Sequence, residues 1–484
     1  MLFNSFQFLI FLPIVVFCYF AMPFKCRKWF LLISSYYFYM CWKPEYIILI
    51  IVSTLIDYFA GIQIAKQSTR WGRKKFLILS LLTNLGLLFS FKYFNFFNDS
   101  FRVLFNCFNM FYGIPAFKFL LPVGISFYTF QTLSYSIDVY YGKKEVEKDF
   151  GIFALYVAFF PQLVAGPIER STHLLPQFKV EHKFDYERTV SGLYLMAWGL
   201  FKKMVVADNF APFVEAVYSN PQGYSNVSML VATLFFAIQI FCDFSGYSDI
   251  AIGSARIMGF DLMVNFRSPY FSKNIREFWS RWHISLSTWF RDYVYFPLGG
   301  SRVSKLKQYR NFLVVFAVSG LWHGANWTFL LWGFLHGAYL VIEDVLIVGM
   351  NRFKIKPKFK GRKFLQIIYT FNLVLLSWVF FRAQSLREAF YIIPRVVCGY
   401  KDLFSTSLLN TLFVEMGIRK YHIFIFGFAL IIMEAFHYLE GKTDVWEALR
   451  KQPLSIRWSI YVCFVFFLIL TGQYGTQQFI YFQF

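Results

Sequence analysis

The chain has 484 residues, of which 57% are hydrophobic, 23% aromatic and 15% charged, whereas a soluble domain carries about 25% charged residues. A soluble protein of this length would be two or three domains with polar surfaces; here apolar runs recur from Phe6 to Leu470, which is the pattern of one polytopic membrane protein. The 48 Lys and Arg exceed the 27 Asp and Glu to give +21, but they sit in loops between apolar spans, which speaks against nucleic acid as a partner.

The start, Met1 to Phe11, has no basic n-region, and no A-x-A site follows, so the first apolar stretch reads as a retained span. About 20 apolar residues cross the hydrocarbon layer as a helix. By that measure spans are predicted near 5–24, 29–42, 46–64, 76–94, 118–140, 150–166, 190–206, 227–244, 246–260, 311–348 (one long or two short), 365–381, 421–438 and 458–475. That is an all-α chain of about eleven crossings, the remainder being re-entrant or interfacial. Pro122-Val123-Gly124, Pro161-Gln162 and Gly166-Pro167 mark broken helices, which are tolerated at membrane depth only where buried or lining a cavity.

Basic loops orient the spans. The clusters Lys25/Arg27/Lys28, Lys66/Arg70/Arg73/Lys74/Lys75 and Lys143/Lys144/Lys148 follow every second early span, which puts them in the cytoplasm and the N-terminus outside. Nine Lys/Arg against two acids (Glu277, Asp292) lie between Arg267 and Arg310, and seven basic residues and no acid between Arg352 and Lys363. Both loops are therefore expected in the cytoplasm, so Asn311–Met350 must enter and return, turning near Gly324-Ala325-Asn326. The C-terminus then lies outside, and Arg382–Lys420 reads as an external connector. The seven cysteines (Cys18, Cys26, Cys41, Cys107, Cys242, Cys398, Cys463) show no C-x-x-C or Cys/His spacing; they imply neither a disulfide framework nor a metal.

Four groups within this plan could do chemistry. Gln239 and Asp243 share a helix face, and Asp249 adds a second carboxylate; an Asp at the bilayer centre costs about 2.5 to 3.5 kcal/mol. They should face a wet cavity, or else form a hydrogen-bonded knot between helices, such as Asp243 or Asp249 with Arg256. In the cytoplasmic segment 267–310, Trp279, His283, Leu286, Phe290 and Tyr293 recur at helical spacing, with Arg276, Arg281 and Arg291 toward other faces. This is an interfacial amphipathic helix, but that role leaves His283 unexplained; the cations beside it could hold a phosphorylated donor. His323, in Ser319-Gly320-Leu321-Trp322-His323-Gly324-Ala325-Asn326-Trp327, is an ionisable group inside an apolar segment, which is expensive and therefore points to function. Burial favours its neutral form, as a general base requires, and Gly320 and Gly324 allow another backbone or a thin acyl chain to approach. A structural histidine bonded between helices is the alternative; for His336 packing is the better reading.

The motifs Leu121–Tyr141 (LPVGISFYTFQTLSYSIDVYY), Phe159–Arg170 (FFPQLVAGPIER), Phe241–Gly253 (FCDFSGYSDIAIG), Trp279–Gly300 (WSRWHISLSTWFRDYVYFPLGG) and Ser319–Trp327 (SGLWHGANW) together resemble the membrane-bound O-acyltransferase (MBOAT) family, in its bacterial alginate and polysaccharide O-acetylation branch. The resemblance runs from Phe3 to Phe484. It implies a single transmembrane domain over 1–484, a ring of helices around a thinned centre where a cytoplasmic tunnel meets an outer funnel. The family's intramembrane histidine falls on His323 and its second histidine on His283. Trp279, Arg281, Arg291, Trp322, Asn326, Asp243 and Asp249 become candidates for lining the donor path. No cofactor or metal is implied; acetyl-CoA is the expected acyl donor. The extracytoplasmic tail 476–484 contains Phe479-Ile480-Tyr481-Phe482, which resembles the F-x-Y-F tail used in teichoic-acid D-alanylation and makes Tyr481 a candidate acyl relay; an interfacial aromatic anchor is the plainer reading.

The implied activity is acetyl transfer from cytoplasmic acetyl-CoA across a bacterial inner membrane to a surface polysaccharide. An extracytoplasmic partner of the SGNH-esterase type would finish it, since this chain has no G-x-S-x-G motif. D-alanyl transfer to teichoic acid is one rival reading, and a glycan transporter or flippase is another.

Overall fold

The computed structural model describes residues 1–117, 120–353, 359–404, 408–440, 445–474 and 479–480. Among them there are helices and loops and no strand. Eight helices among the described residues are long and apolar enough to cross a membrane, with Phe6–Ala21 a shorter apolar one. Phe6, Phe17, Phe424, Ile431 and Leu470 are exposed on the protein surface, as side chains that meet lipid must be. The chain divides into two compact units, Met1–Met196 with Ser248–Val264, and Ala197–Tyr247 with Asn265–Phe484.

The first unit holds α1 (Phe6–Ala21), α2 (Phe24–Met40), α3 (Ile47–Lys66), α4 (Arg70–Leu88, continued through a π turn at Phe89–Tyr93 to Cys107), α5 (Ile125–Tyr140) and α6 (Phe150–Ala158). Buried Asp57 on α3 ties three helices together: it accepts from Ser80 of α4, from Asn84 Nδ2 at 2.7 Å and from Ser136 Oγ of α5 at 2.9 Å. Such interhelical bonds hold apolar helices that have no hydrophobic reason to associate in lipid. The predicted break at Pro161 is present, and its freed backbone groups are re-satisfied. Phe160 N donates to Ser35 Oγ at 3.1 Å, and Tyr156 O accepts from Gln131 and Gln162 side chains at 2.5 and 2.8 Å.

Two helices pass through both units: α7 (Tyr186–Ser219, with a π turn at Phe201–Ala207) and α8 (Asn226–Met258). The predicted spans 227–244 and 246–260 are thus one helix. Gly246 does not break it; a side chain there would meet Gly199 O at 2.6 Å, so the glycine serves a close crossing with α7.

The second unit adds α9 (Ile275–Arg281), α10 (Ile284–Phe290), α11 (Lys305–His323), α12 (Trp327–Arg352), α13 (Arg362–Arg382), α14 (Leu386–Asp402), α15 (Lys420–Glu440) and α16 (Leu454–Thr471). The expected turn at 324–326 separates α11 from α12. The aromatic stripe predicted as one helix is broken at Trp282–His283 into α9 and α10, because His283 adopts φ +43°. The supposed connector 382–420 contains α14, which buries Ala389, Ile392, Val396 and Gly399 and whose Asp402 accepts from Asn226 Nδ2 at 2.8 Å.

α11 and α12 cross with almost no space between their backbones. A Cβ at Gly320 would collide with Phe329 O, and one at Gly333 with Phe316 O. Gly333→Ala is therefore expected to cost about 1 to 3 kcal/mol by overpacking, seen as a lower unfolding temperature in detergent. Gly349→Ala on the same helix, where a Cβ meets nothing, should leave that temperature unchanged or raise it.

Candidate functional site

The α11/α12 hairpin sets the position of His323. It is the last residue of α11 and 2% exposed, boxed by the rings of Trp322 (5.0 Å), Trp332 (5.0 Å) and Phe381 (5.4 Å). Gly324 follows because a Cβ there would strike the Phe329 ring. Asn326 then caps α12, its Oδ1 accepting from Thr328 N at 3.1 Å while its amide donates to Gln384 O at 3.1 Å. Its observed bonds are those of a helix cap.

His283 comes to the same place by a different route. A non-glycine residue with positive φ costs about 1 to 3 kcal/mol and persists only where its surroundings fix it. Asn265 supplies that support: its carbonyl accepts from Ile284 N at 3.0 Å and its Oδ1 from Ser285 Oγ at 2.7 Å. The kink carries the imidazole to 4.6 Å from the Phe244 ring, 5.8 Å from Trp322 and 6.2 Å from His323. Burial pushes the His283 imidazole down to about 3, from 6.5, so it is neutral at ordinary pH.

His336 is occupied otherwise. The Trp279 indole donates to its Nδ1 at 3.2 Å, so Nε2 carries the proton and meets Ser377 Oγ at 2.9 Å, while Ser377 donates to Val374 O at 2.7 Å. Both ring nitrogens are used, and Trp279 is bound to a packing histidine.

A cavity of about 540 Å³ opens beside α9, α10 and α11, within the range of roughly 300 to 1,000 Å³ that takes a small ligand or part of a larger one. Its walls include Arg276, Trp279, Ser287, Arg291, Gln308 and Ser319, and Ser319 lies one helical turn before His323. Arg276 reaches Asp344 at 3.9 Å and Arg291 pairs with Asp292 at 2.9 Å, both with more than half of the side chain exposed. Arg281 instead pairs with Glu277 at 2.6 Å. A second cavity, of about 420 Å³, is lined by Glu215, Gln239, Arg382 and Ile480.

Asp243 is buried beside α7. Its Oδ1 lies 2.8 Å from Lys203 Nζ, and its Oδ2 accepts from Ile480 N at 2.8 Å. Arg256 donates to Ser191 Oγ at 3.1 Å. Asp249 is half-buried and belongs to the first unit. Phe479 packs against Tyr247 (4.7 Å) and Phe244 (5.7 Å), and Tyr481 lies outside the described residues. Lys203, Asp208 and Asn265 were not expected. Lys203 falls inside the predicted span 190–206; an intramembrane lysine opposite an intramembrane aspartate was the available signal.

The membrane-bound O-acyltransferase family model matches residues 149–384. The chain is 39% identical over 394 residues to a probable alginate O-acetylase of Azotobacter vinelandii, covering 80% of this chain and 76% of that protein. It is 35% identical over 430 residues to a peptidoglycan O-acetyltransferase of Helicobacter pylori, covering 82% and 80%. It is 32% identical over 286 residues to a teichoic acid D-alanyltransferase of Streptococcus thermophilus, covering 54% and 68%.

The His283 environment has a pH consequence. Its value in the folded chain lies below that in the unfolded chain, so as pH falls below about 6.5 the unfolded state takes up a proton that the folded state refuses, and stability declines. His283→Gln should therefore lose less thermal stability than the wild type between pH 7.5 and 5; an identical loss would contradict the buried neutral imidazole.

Proposed function

We propose, since this chain belongs to the membrane-bound O-acyltransferase family, that it moves acetyl groups from cytoplasmic acetyl-CoA through the membrane for O-acetylation of a polysaccharide outside. It is a multi-pass membrane O-acyltransferase of the type of its alginate O-acetylase and peptidoglycan O-acetyltransferase relatives. The observation that carries the finer reading is the pairing of His283 and His323, 6.2 Å apart, with a cavity wall that reaches Ser319, one turn before His323.

In this reading the donor enters the cavity from the cytoplasmic segment 267–310. Arg276 and Arg291 meet its phosphates as charge-assisted partners, and the thioester end reaches toward Ser319. His323 takes the proton of an accepting hydroxyl, the oxygen attacks the thioester carbonyl, and the carbon–sulfur bond breaks with departure of the CoA thiolate, which takes up a proton. His283, neutral and fixed by its kink, positions the donor or assists the proton transfer. The acceptor side is the cavity of Glu215, Gln239, Arg382 and Ile480.

The accepting hydroxyl is assigned to Tyr481 as relay, whose phenol, with an ordinary pKa of about 10, needs a base. What supports this is the burial of Phe479 and Ile480 against Phe244, Tyr247 and Asp243, which is unlike a loose interfacial anchor. Residues 1–484 would act as one transmembrane catalytic domain in a bacterial inner membrane with both termini outside, and an SGNH-esterase-like partner would complete transfer to the polysaccharide. Acetyl is favoured over D-alanyl because the O-acetylating relatives match about 80% of the chain and the D-alanyltransferase 54%.

His323→Ala, in a chain that still folds, is expected to lower acetyl transfer by about 10² to 10⁴-fold, the range for loss of a general base; undiminished polysaccharide acetylation would refute the assignment. With radiolabelled acetyl-CoA, label on the chain should be lost in Tyr481→Phe. Label retained there would assign the hydroxyl elsewhere.

A further inference from the structure

We infer that Lys203, Asp208 and Asp243 form a buried ionic latch that holds the backbone of the C-terminal segment at Ile480, and that the π turn of α7 is the platform for it. A π turn inserts one residue into a helix, turns side chains out of their regular register and recurs at functional sites. In α7 it spans Phe201–Ala207, within the stretch that crosses α8 closely at Gly199 and Gly246. The crossing puts Lys203 Nζ 2.8 Å from Asp208 Oδ1 and 2.8 Å from Asp243 Oδ1, with all three side chains 4% exposed.

One ammonium thus faces two carboxylates. A buried carboxylate needs further donors for its remaining lone pairs, and Asp243 receives one from the tail: Ile480 N donates to Oδ2 at 2.8 Å. The same platform holds the segment's start. Met204 O, on the π turn, accepts from Gln473 N at 3.1 Å; Asn209 donates to Thr471 O at 2.9 Å and accepts from Gln473 Nε2 at 3.1 Å.

The segment is therefore pinned at 471–473 and again at 480, through backbone groups at Thr471, Gln473 and Ile480. Between Ile480 and the histidines stand Phe479 and Phe244, the latter 4.6 Å from the His283 ring. The latch residues are positioning residues: they act by holding the residue before Tyr481, and this part of the inference rests on the relay reading given above.

The test is hydrogen exchange with mass spectrometry on the full-length protein in detergent micelles, beside steady-state acetyl transfer. Asp243→Ala leaves Lys203 and Asp208 as a neutral pair, and should speed exchange of the Ile480 amide about tenfold or more, as when a hydrogen bond to a charged acceptor is lost. Peptides from α11 and α12 should keep wild-type exchange, kcat should fall with KM for acetyl-CoA unchanged, and Asp243→Asn, which retains an acceptor oxygen, should restore part of the protection. Asn209→Ala, which leaves the buried charges in place, should loosen 471–473. Unchanged tail exchange in these variants, or equal loosening of α11 and α12, overturns the latch. A loosened tail with wild-type polysaccharide acetylation leaves the latch standing and refutes the relay.

Discussion

The close crossing of α11 and α12 is the constraint on which the candidate site depends. Gly320 and Gly333 leave no room for a side chain between the two backbones, so the hairpin turns tightly at 324–326 and ends α11 on His323. Small residues are the usual means by which helices approach in a bilayer, where lipid is as apolar as leucine and only packing and polar bonds draw helices together. Here the approach also encloses the imidazole among Trp322, Trp332 and Phe381. A wider crossing would open that box.

Three buried polar groups illustrate distinct assignments. Asp57 joins three helices of the first unit through hydroxyl and amide donors. His336 spends both nitrogens on Trp279 and Ser377. Asp243 shares Lys203 with Asp208 and reaches the tail. The cost of polar groups in an apolar surrounding explains why Asp57, His336 and Asp243 each carry such partners. His283 adds a backbone cost: its left-handed conformation, fixed by Asn265, directs the ring toward Phe244 and Trp322 rather than along the aromatic face of α9 and α10.

The order of apolar spans, the turn at 324–326 and the burial of His323 were legible because each rests on local signals: length, basic loops, and glycine on both sides of an intramembrane histidine. The break at His283 was not. Trp279, His283, Leu286, Phe290 and Tyr293 satisfy helical spacing perfectly well, and the force that interrupts the helix is a tertiary bond from Asn265, which no local pattern displays. The partner of Asp243 was equally hidden, since Lys203 lies 40 residues away and a π turn changes which face of α7 it occupies. Gly246 misled in the opposite sense, suggesting a boundary where it serves a crossing. The amphipathic α14 was missed because its charges matched a loop and its apolar face is short.

The central claim is that an acyl donor in the cavity of Arg276, Arg291 and Ser319 presents its thioester to His323. The most direct measurement is an experimental structure of the protein with a non-hydrolysable acetyl-CoA analogue. The analogue's phosphates are expected at Arg276 and Arg291 and its acyl end beyond Ser319, within reach of His323 through one intervening hydroxyl. An analogue bound with its acyl end away from His323, or seated instead in the cavity of Glu215, Gln239 and Arg382, would contradict it.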